Sequence, residues 1–165
     1  MSMYRHPKTV VEFVQRTRAV VGQYDQLEST LGADFYNVTL LLNCLLGLVV
    51  LPRENRLNAI QDGDIPESIR HTLANAVNNR NEKISVTFSD YIIGLRNAIV
   101  HWGQSQSLKF LQNDQGQIAR VCLEGTISRN TRTLRYVFSL ENGNELTNVI
   151  EAILDHVYGI NNVTV

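Results

Sequence analysis

Three residues near the middle of the chain, Arg96, Asn97 and His101, combine types that suit chemistry at a phosphate. Histidine is the side chain whose unperturbed pKa lets it give or take a proton near neutral pH. Arginine offers a fixed cation with several donors for phosphate oxygens. Asn97 stands one helical turn before His101, where its amide can orient the imidazole or hold a phosphate oxygen. The plain alternative is an exposed Arg and His near a helix end.

These residues need a helix to position them, and the stretch Thr87 to Gly103, TFSDYIIGLRNAIVHWG, reads as one. Thr87 to Asp90 opens it in the manner of a capping box. Phe88, Ile92, Leu95, Ile99 and Trp102 recur at helical spacing and form a core-facing stripe. Asp90, Gly94, Asn97 and His101 fall on the opposite side, with Arg96, Ile93 and Val100 along its shoulder. Water normally covers the second face of a surface helix, so an apolar shoulder predicts a covering chain. Ile93, Gly94 and Val100 are the expected interface residues, and Gly94 would let a partner helix come close. A two-fold axis there would set both copies of Arg96 and His101 facing one cleft.

The run RNAIVH, Arg96 to His101, resembles the Arg-polar-x3-His motif of the HEPN superfamily. With this composition, an Arg-Asn-x3-His spacing should arise by chance only about 0.03 times per chain. The stretch from Leu40 to Glu54 followed by LRNAIVHWG is also similar to stand-alone bacterial HEPN proteins. The resemblance implies a metal-independent endoribonuclease of toxin or defence type, acting as a homodimer on an RNA substrate. It assigns the catalytic roles to Arg96, Asn97 and His101. In such a reaction the 2′-hydroxyl attacks the adjacent phosphate, leaving a 2′,3′-cyclic phosphate and a 5′-hydroxyl. Two protomers would supply one His for each proton transfer. The alternative that the resemblance allows is a catalytically silent HEPN-like module binding a nucleotide or a protein. Such modules often pair with a nucleotidyltransferase acting as antitoxin.

The 165 residues, 44% hydrophobic and 19% charged, fit one soluble globular domain over 1–165. A net charge of −1 gives no general attraction to nucleic acid, so RNA contact must come from a local patch. Ser105 to Leu140 is the most basic region: five basic residues against two acidic give +3. Arg120, Arg132 and Arg135 there, with Arg53 in the loop after Pro52, are the candidate substrate-binding residues; a solvated sheet face is the other reading. Cys44 and Cys122 sit in apolar runs without metal or redox spacing, which suggests buried free thiols in a reducing cytoplasm. No His-x3-His, Cys-x2-Cys or phosphate-cradling Gly loop is present, so neither metal nor cofactor is expected. Val38 to Leu51 is too short to span a bilayer, and no membrane association is expected.

The rest of the chain predicts a mainly α fold: an antiparallel bundle of about five helices with a small three-stranded antiparallel β insertion, about 107–140, before the last helix. Pro7 would open the first helix and Gly32 end it. Asp34 would cap a second, apolar helix ending before Pro52, with Asn43 as a core amide or a partner of the site. Asp64 would start a third helix using Ile65, Ile69, Leu73, Ala76 and Val77. After the fourth, the period changes to two, and Leu108–Leu111, Ile118–Leu123 and Leu134–Leu140 read as strands, the first two joined at Asn113–Gly116. Asn144 would cap the last helix and Gly159 close it.

Overall fold

Antiparallel strands and helices share this fold, and the mainly α bundle expected from sequence is corrected by a four-stranded sheet in the order β1-β4-β3-β2. The computed structural model describes residues 12–13, 15–23, 26, 37–50, 63–101, 108–127, 131–140 and 145–158. Expectations at Pro7, Gly32, Asp34, Pro52, Arg53, Trp102, Gly103, Asn144 and Gly159 lie outside the described residues. The helices are α1 (15–23), α2 (Asn37–Val50), α3 (Glu67–Arg70), α4 (Phe88–Val100) and α5 (Glu145–Tyr158). The strands are β1 (Leu73–Asn78), β2 (Leu108–Gln112), β3 (Ile118–Ile127) and β4 (Arg132–Ser139).

The additional strand explains the correction. Asp64 caps nothing; α3 starts after Pro66 and lasts one turn, and Thr72 Oγ1 donates to the Ile69 carbonyl at 2.6 Å where it stops. The next residues, LANAVN, then pair antiparallel with β4, Leu73 opposite Tyr136 and Val77 opposite Thr133. Leu73, Ala76 and Val77 also fit a helical spacing, so periodicity alone could not separate the two outcomes. The free edge of β4 decided it, as tertiary context routinely overrides local preference. The β2-β3-β4 meander is present, with longer β3 and β4 than the sequence reading gave. Asn113 Oδ1 closes the β2-β3 turn by accepting from the Gln115 and Gln117 amides, and Gly116 supplies φ +79.

Burial alternates along β3, which puts Val121, Leu123, Gly125 and Ile127 on the inner face. Leu134, Tyr136 and Phe138 of β4 join them in one apolar cluster with residues of α2, α4 and α5. Helix α4 packs on β3 and β4, α2 packs on α4 and α5, and α5 also meets α3 and β4. α4 is therefore covered on two sides. Arg18 of α1 is tied to Glu151 of α5 at 2.8 Å. Asn43, expected to be buried, is exposed on α2. Cys44 and Cys122 are free and half-buried rather than fully enclosed, and burial pushes the Cys44 thiol up. Among the described residues no helix is long and apolar enough to cross a membrane.

Candidate active site

The motif helix starts as its sequence requires. Thr87 Oγ1 accepts from the Asp90 amide at 3.1 Å, and Asp90 Oδ2 accepts from the Thr87 amide at 3.4 Å. Two otherwise unpaired amides are satisfied, and the acid lies at the positive end of the helix dipole. Helical geometry ends at Val100. His101 is the C-cap, its amide donating to the Asn97 carbonyl at 3.0 Å, and its side chain is exposed.

The face carrying Asp90, Gly94 and Asn97 was expected to meet a second chain. The protein's own sheet covers it. Gly94 is buried, and a Cβ added there would meet the Tyr136 hydroxyl and Leu134 of β4. Opposite it lies Gly125 of β3, where a Cβ would overlap the Gly94 carbonyl. The close approach that Gly94 permits is thus intramolecular, and Gly94 leaves the set of interface residues. Asp90 is also accounted for: Arg132 donates to both its carboxylate oxygens, at 3.2 and 3.0 Å, and to the Ser85 carbonyl at 2.8 Å.

Asn97 is half-buried at the same layer boundary and uses both ends of its amide. Its Oδ1 accepts from Arg96 Nη1 at 2.9 Å, and its Nδ2 donates to the Thr126 carbonyl at 2.6 Å. Asn97, which the sequence offered as a partner of the imidazole or of a phosphate oxygen, thus links the sheet to the arginine. Arg96 is half-buried and its guanidinium is oriented through Asn97. On helical spacing, Arg96 and His101 leave the axis about 140° apart and about 7.5 Å along it.

The remaining sequence candidates separate. Ile93 is half-buried against the apolar cluster, whereas Val100 is 41% exposed. Arg135 is exposed and paired with Glu124, with Nε and Nη2 donating to one carboxylate oxygen at 3.2 and 2.9 Å. Arg120 is exposed on β3. The +3 stretch thus holds two arginines already matched to carboxylates, Arg132 by Asp90 and Arg135 by Glu124. Neither Gly125 nor Thr126 had been singled out. The legible signal was a glycine inside the strand VCLEGTI, a position that often marks close backbone approach. Among the described residues no group of three His, Cys, Asp or Glu side chains is placed to share a metal ion.

No curated protein and no solved structure gives a significant match to the chain. The sequence model of the family described as HEPN pEK499 p136 does match, over residues 1–159. A match across nearly the whole chain, on a sequence whose Arg96-Asn97-x3-His101 motif lies at the end of α4, makes this chain a member of the HEPN pEK499 p136 family.

Proposed function

We propose that the chain is a metal-independent endoribonuclease of toxin or defence type that works as a homodimer. The observation carrying this reading is the relay Thr126–Asn97–Arg96, which fixes a guanidinium on the helix whose end presents the exposed His101. A cation oriented before substrate arrives needs no reorganisation as charge develops on the phosphorane. In the reaction, one neutral His101 takes the proton of the ribose 2′-hydroxyl as its oxygen bonds to phosphorus. The bond from phosphorus to the 5′-oxygen breaks, and the protonated His101 of the second protomer gives that oxygen a proton. The products are a 2′,3′-cyclic phosphate and a 5′-hydroxyl end. Arg96 faces the phosphate oxygens.

The test is incubation of purified protein with mixed RNAs in excess chelator, comparing wild type with His101→Ala and Arg96→Ala. Cleavage by wild type alone, with cyclic phosphate ends, supports the reading. Cleavage that requires magnesium, or that survives His101→Ala unchanged, overturns it.

A second reading is favoured by the ion pairs of Arg132 with Asp90 and of Arg135 with Glu124, which leave little positive field for an RNA backbone. In it the chain is a catalytically silent binding module for a nucleotide or protein, with a nucleotidyltransferase antitoxin as one such partner. Co-purification with such a partner, without RNA cleavage in chelator or in magnesium, would favour it.

A further inference from the structure

Strand β2 closes one edge of the sheet, and among the described residues its outer side pairs with no other strand. Every second residue of such an edge directs its amide and carbonyl outward, where another strand can pair with them. Exposed apolar side chains gather at the same place. Of the five large ones exposed among the described residues, Phe110, Leu111 and Ile118 belong to the β2-β3 hairpin. Register sorts them by face. Phe110 lies opposite the buried Val121, on the face that the helices cover. Leu111 lies opposite Arg120 on the outer face, which Ile118 shares by alternation along β3, and Lys109 opposite Cys122 points the same way.

We infer that the β2 edge takes an extended acidic peptide of another protein as a fifth strand, its apolar residues on the helix side and its carboxylates on the outer side. Charge selects this occupant. On the outer face Glu124 is matched by Arg135, whereas among the described residues Lys109 and Arg120 meet no carboxylate. These two cations flank Leu111, one two residues along β2 and the other across from it. An acid opposite Lys109 stands one strand spacing away, about 5 Å. Arg120 is one strand further in, and its long stem can lie over Leu111 toward the edge. On the other face Phe110 receives an apolar residue. Main-chain hydrogen bonds then supply affinity and the alternating side chains supply specificity. A second copy of this chain fits less well. β2 reads LKFLQ, without a carboxylate, so self-pairing sets two copies of Lys109 in one ladder with nothing to neutralise them. Lysine on an edge is a common guard against that pairing, and it does not guard against an acidic strand. An RNA backbone would use the same two cations but leaves Phe110 and the edge amides without a role.

Arg96, Asn97 and His101 take no part in this edge, so binding here is separable from cleavage. The test titrates the full chain with the peptide Ser-Val-Glu-Val-Glu-Val-Ser, followed through backbone amide signals in nuclear magnetic resonance. Saturable shifts at Lys109, Phe110 and Leu111 are expected, with slowed hydrogen exchange along β2 and weaker binding in moderate salt. The same peptide with lysine in place of glutamate should bind about tenfold more weakly. Successive amides of a strand point to opposite sides, so of two versions methylated at the valine or at the glutamate amides, one should lose binding. Lys109→Glu combined with Arg120→Glu should reverse the preference toward the basic peptide, an outcome that misfolding cannot imitate. Equal binding of the acidic and basic peptides, or shifts centred away from β2, overturn the inference. So do β2 signals that move with protein concentration alone, which would mean self-pairing. Shifts at Lys109 and Arg120 with an oligouridine but not with the peptide would make the patch a nucleic-acid contact and overturn it as well.

Discussion

The carbonyl of Gly94 on α4 occupies the space in which a side chain on Gly125 of β3 would begin. Helix and strand meet there backbone to backbone, and the amide of Ala98 lies 3.0 Å from the same point. This contact sets the distance at which Asn97 reaches the Thr126 carbonyl.

Gly125→Ala is therefore expected to lower stability by about 3 kcal/mol, the upper end for overpacking, because backbone cannot move aside as a side chain can. Gly94→Ala should cost less, since its methyl meets the Tyr136 hydroxyl and Leu134 side chain. Adding Tyr136→Phe should recover part of that loss. Urea denaturation of the single and double variants measures both effects. Additive losses at Gly94 and Tyr136 would show that the hydroxyl is not the obstacle.

Asn97→Ala removes the donor to the Thr126 carbonyl and the acceptor for Arg96 together. A loss of about 1–3 kcal/mol is expected from the half-buried groups left behind. Under the nuclease reading, cleavage should fall with it. Asn97→Asp keeps an acceptor for Arg96 but loses the donor to Thr126. It should hold Arg96 yet loosen the helix from the sheet, which hydrogen exchange at the end of β3 would detect. Unchanged exchange there would mean that Asn97 does not anchor the layer.

Alkaline pH should destabilise the fold through two buried phenols. Burial raises the Tyr91 and Tyr136 hydroxyls above the ordinary value of 10.0. Tyr91 shares a 2.7 Å hydrogen bond with Thr72, and Tyr136 donates to the Tyr91 carbonyl at 2.8 Å. Above pH 10 the unfolded chain loses protons that the folded chain retains, so stability falls as pH rises toward the raised folded values. Below pH 10 this contribution is fully present. Denaturation midpoints from pH 8 upward should decline beyond 10, and Tyr91→Phe should make the decline shallower. A flat profile, or tyrosine ionisation while the protein remains folded, contradicts this.

The proposed dimer now has one clean probe. Ile93 packs partly into its own core, so Ile93→Asp is expected to unfold the chain rather than only separate protomers. Val100 is exposed next to His101. Val100→Asp should give a folded, inactive monomer, while His101→Ala should remain dimeric. Sedimentation decides the point: wild type that is monomeric at micromolar concentration yet cleaves RNA would end the composite-site proposal.

The motif helix, its capping box and the β2-β3-β4 meander were legible because each has a local cause: side-chain spacing, a Thr with an Asp three residues on, and alternation broken by Asn and Gly. What covers α4 was not. Asp90, Gly94 and Asn97 look like a solvent or partner face, since polarity alone does not distinguish water from a sheet that supplies Arg132, Gly125 and Thr126. β1 was hidden for a related reason: its short residues satisfy two periodicities, and only β4, far along the chain, chooses between them. The charge sum over Ser105 to Leu140 misled in the same way, because Asp90 lies outside that window and pairs with Arg132 inside it.

The pairing of β1 with β4 joins stretches about sixty residues apart, Leu73 facing Tyr136. Closing so long a loop is slower than closing the β2-β3 hairpin. On a ribosome the order is stricter still. RNAIVH is translated before Gly125, Thr126 or Arg132 exists, so the nascent chain carries the motif without the layer that orients it. A nascent chain stopped before β3 contains Arg96, Asn97 and His101 in sequence, but Asn97 has no carbonyl of Thr126 to hold. Under the nuclease reading, newly made chains would be silent at this site until the sheet is complete.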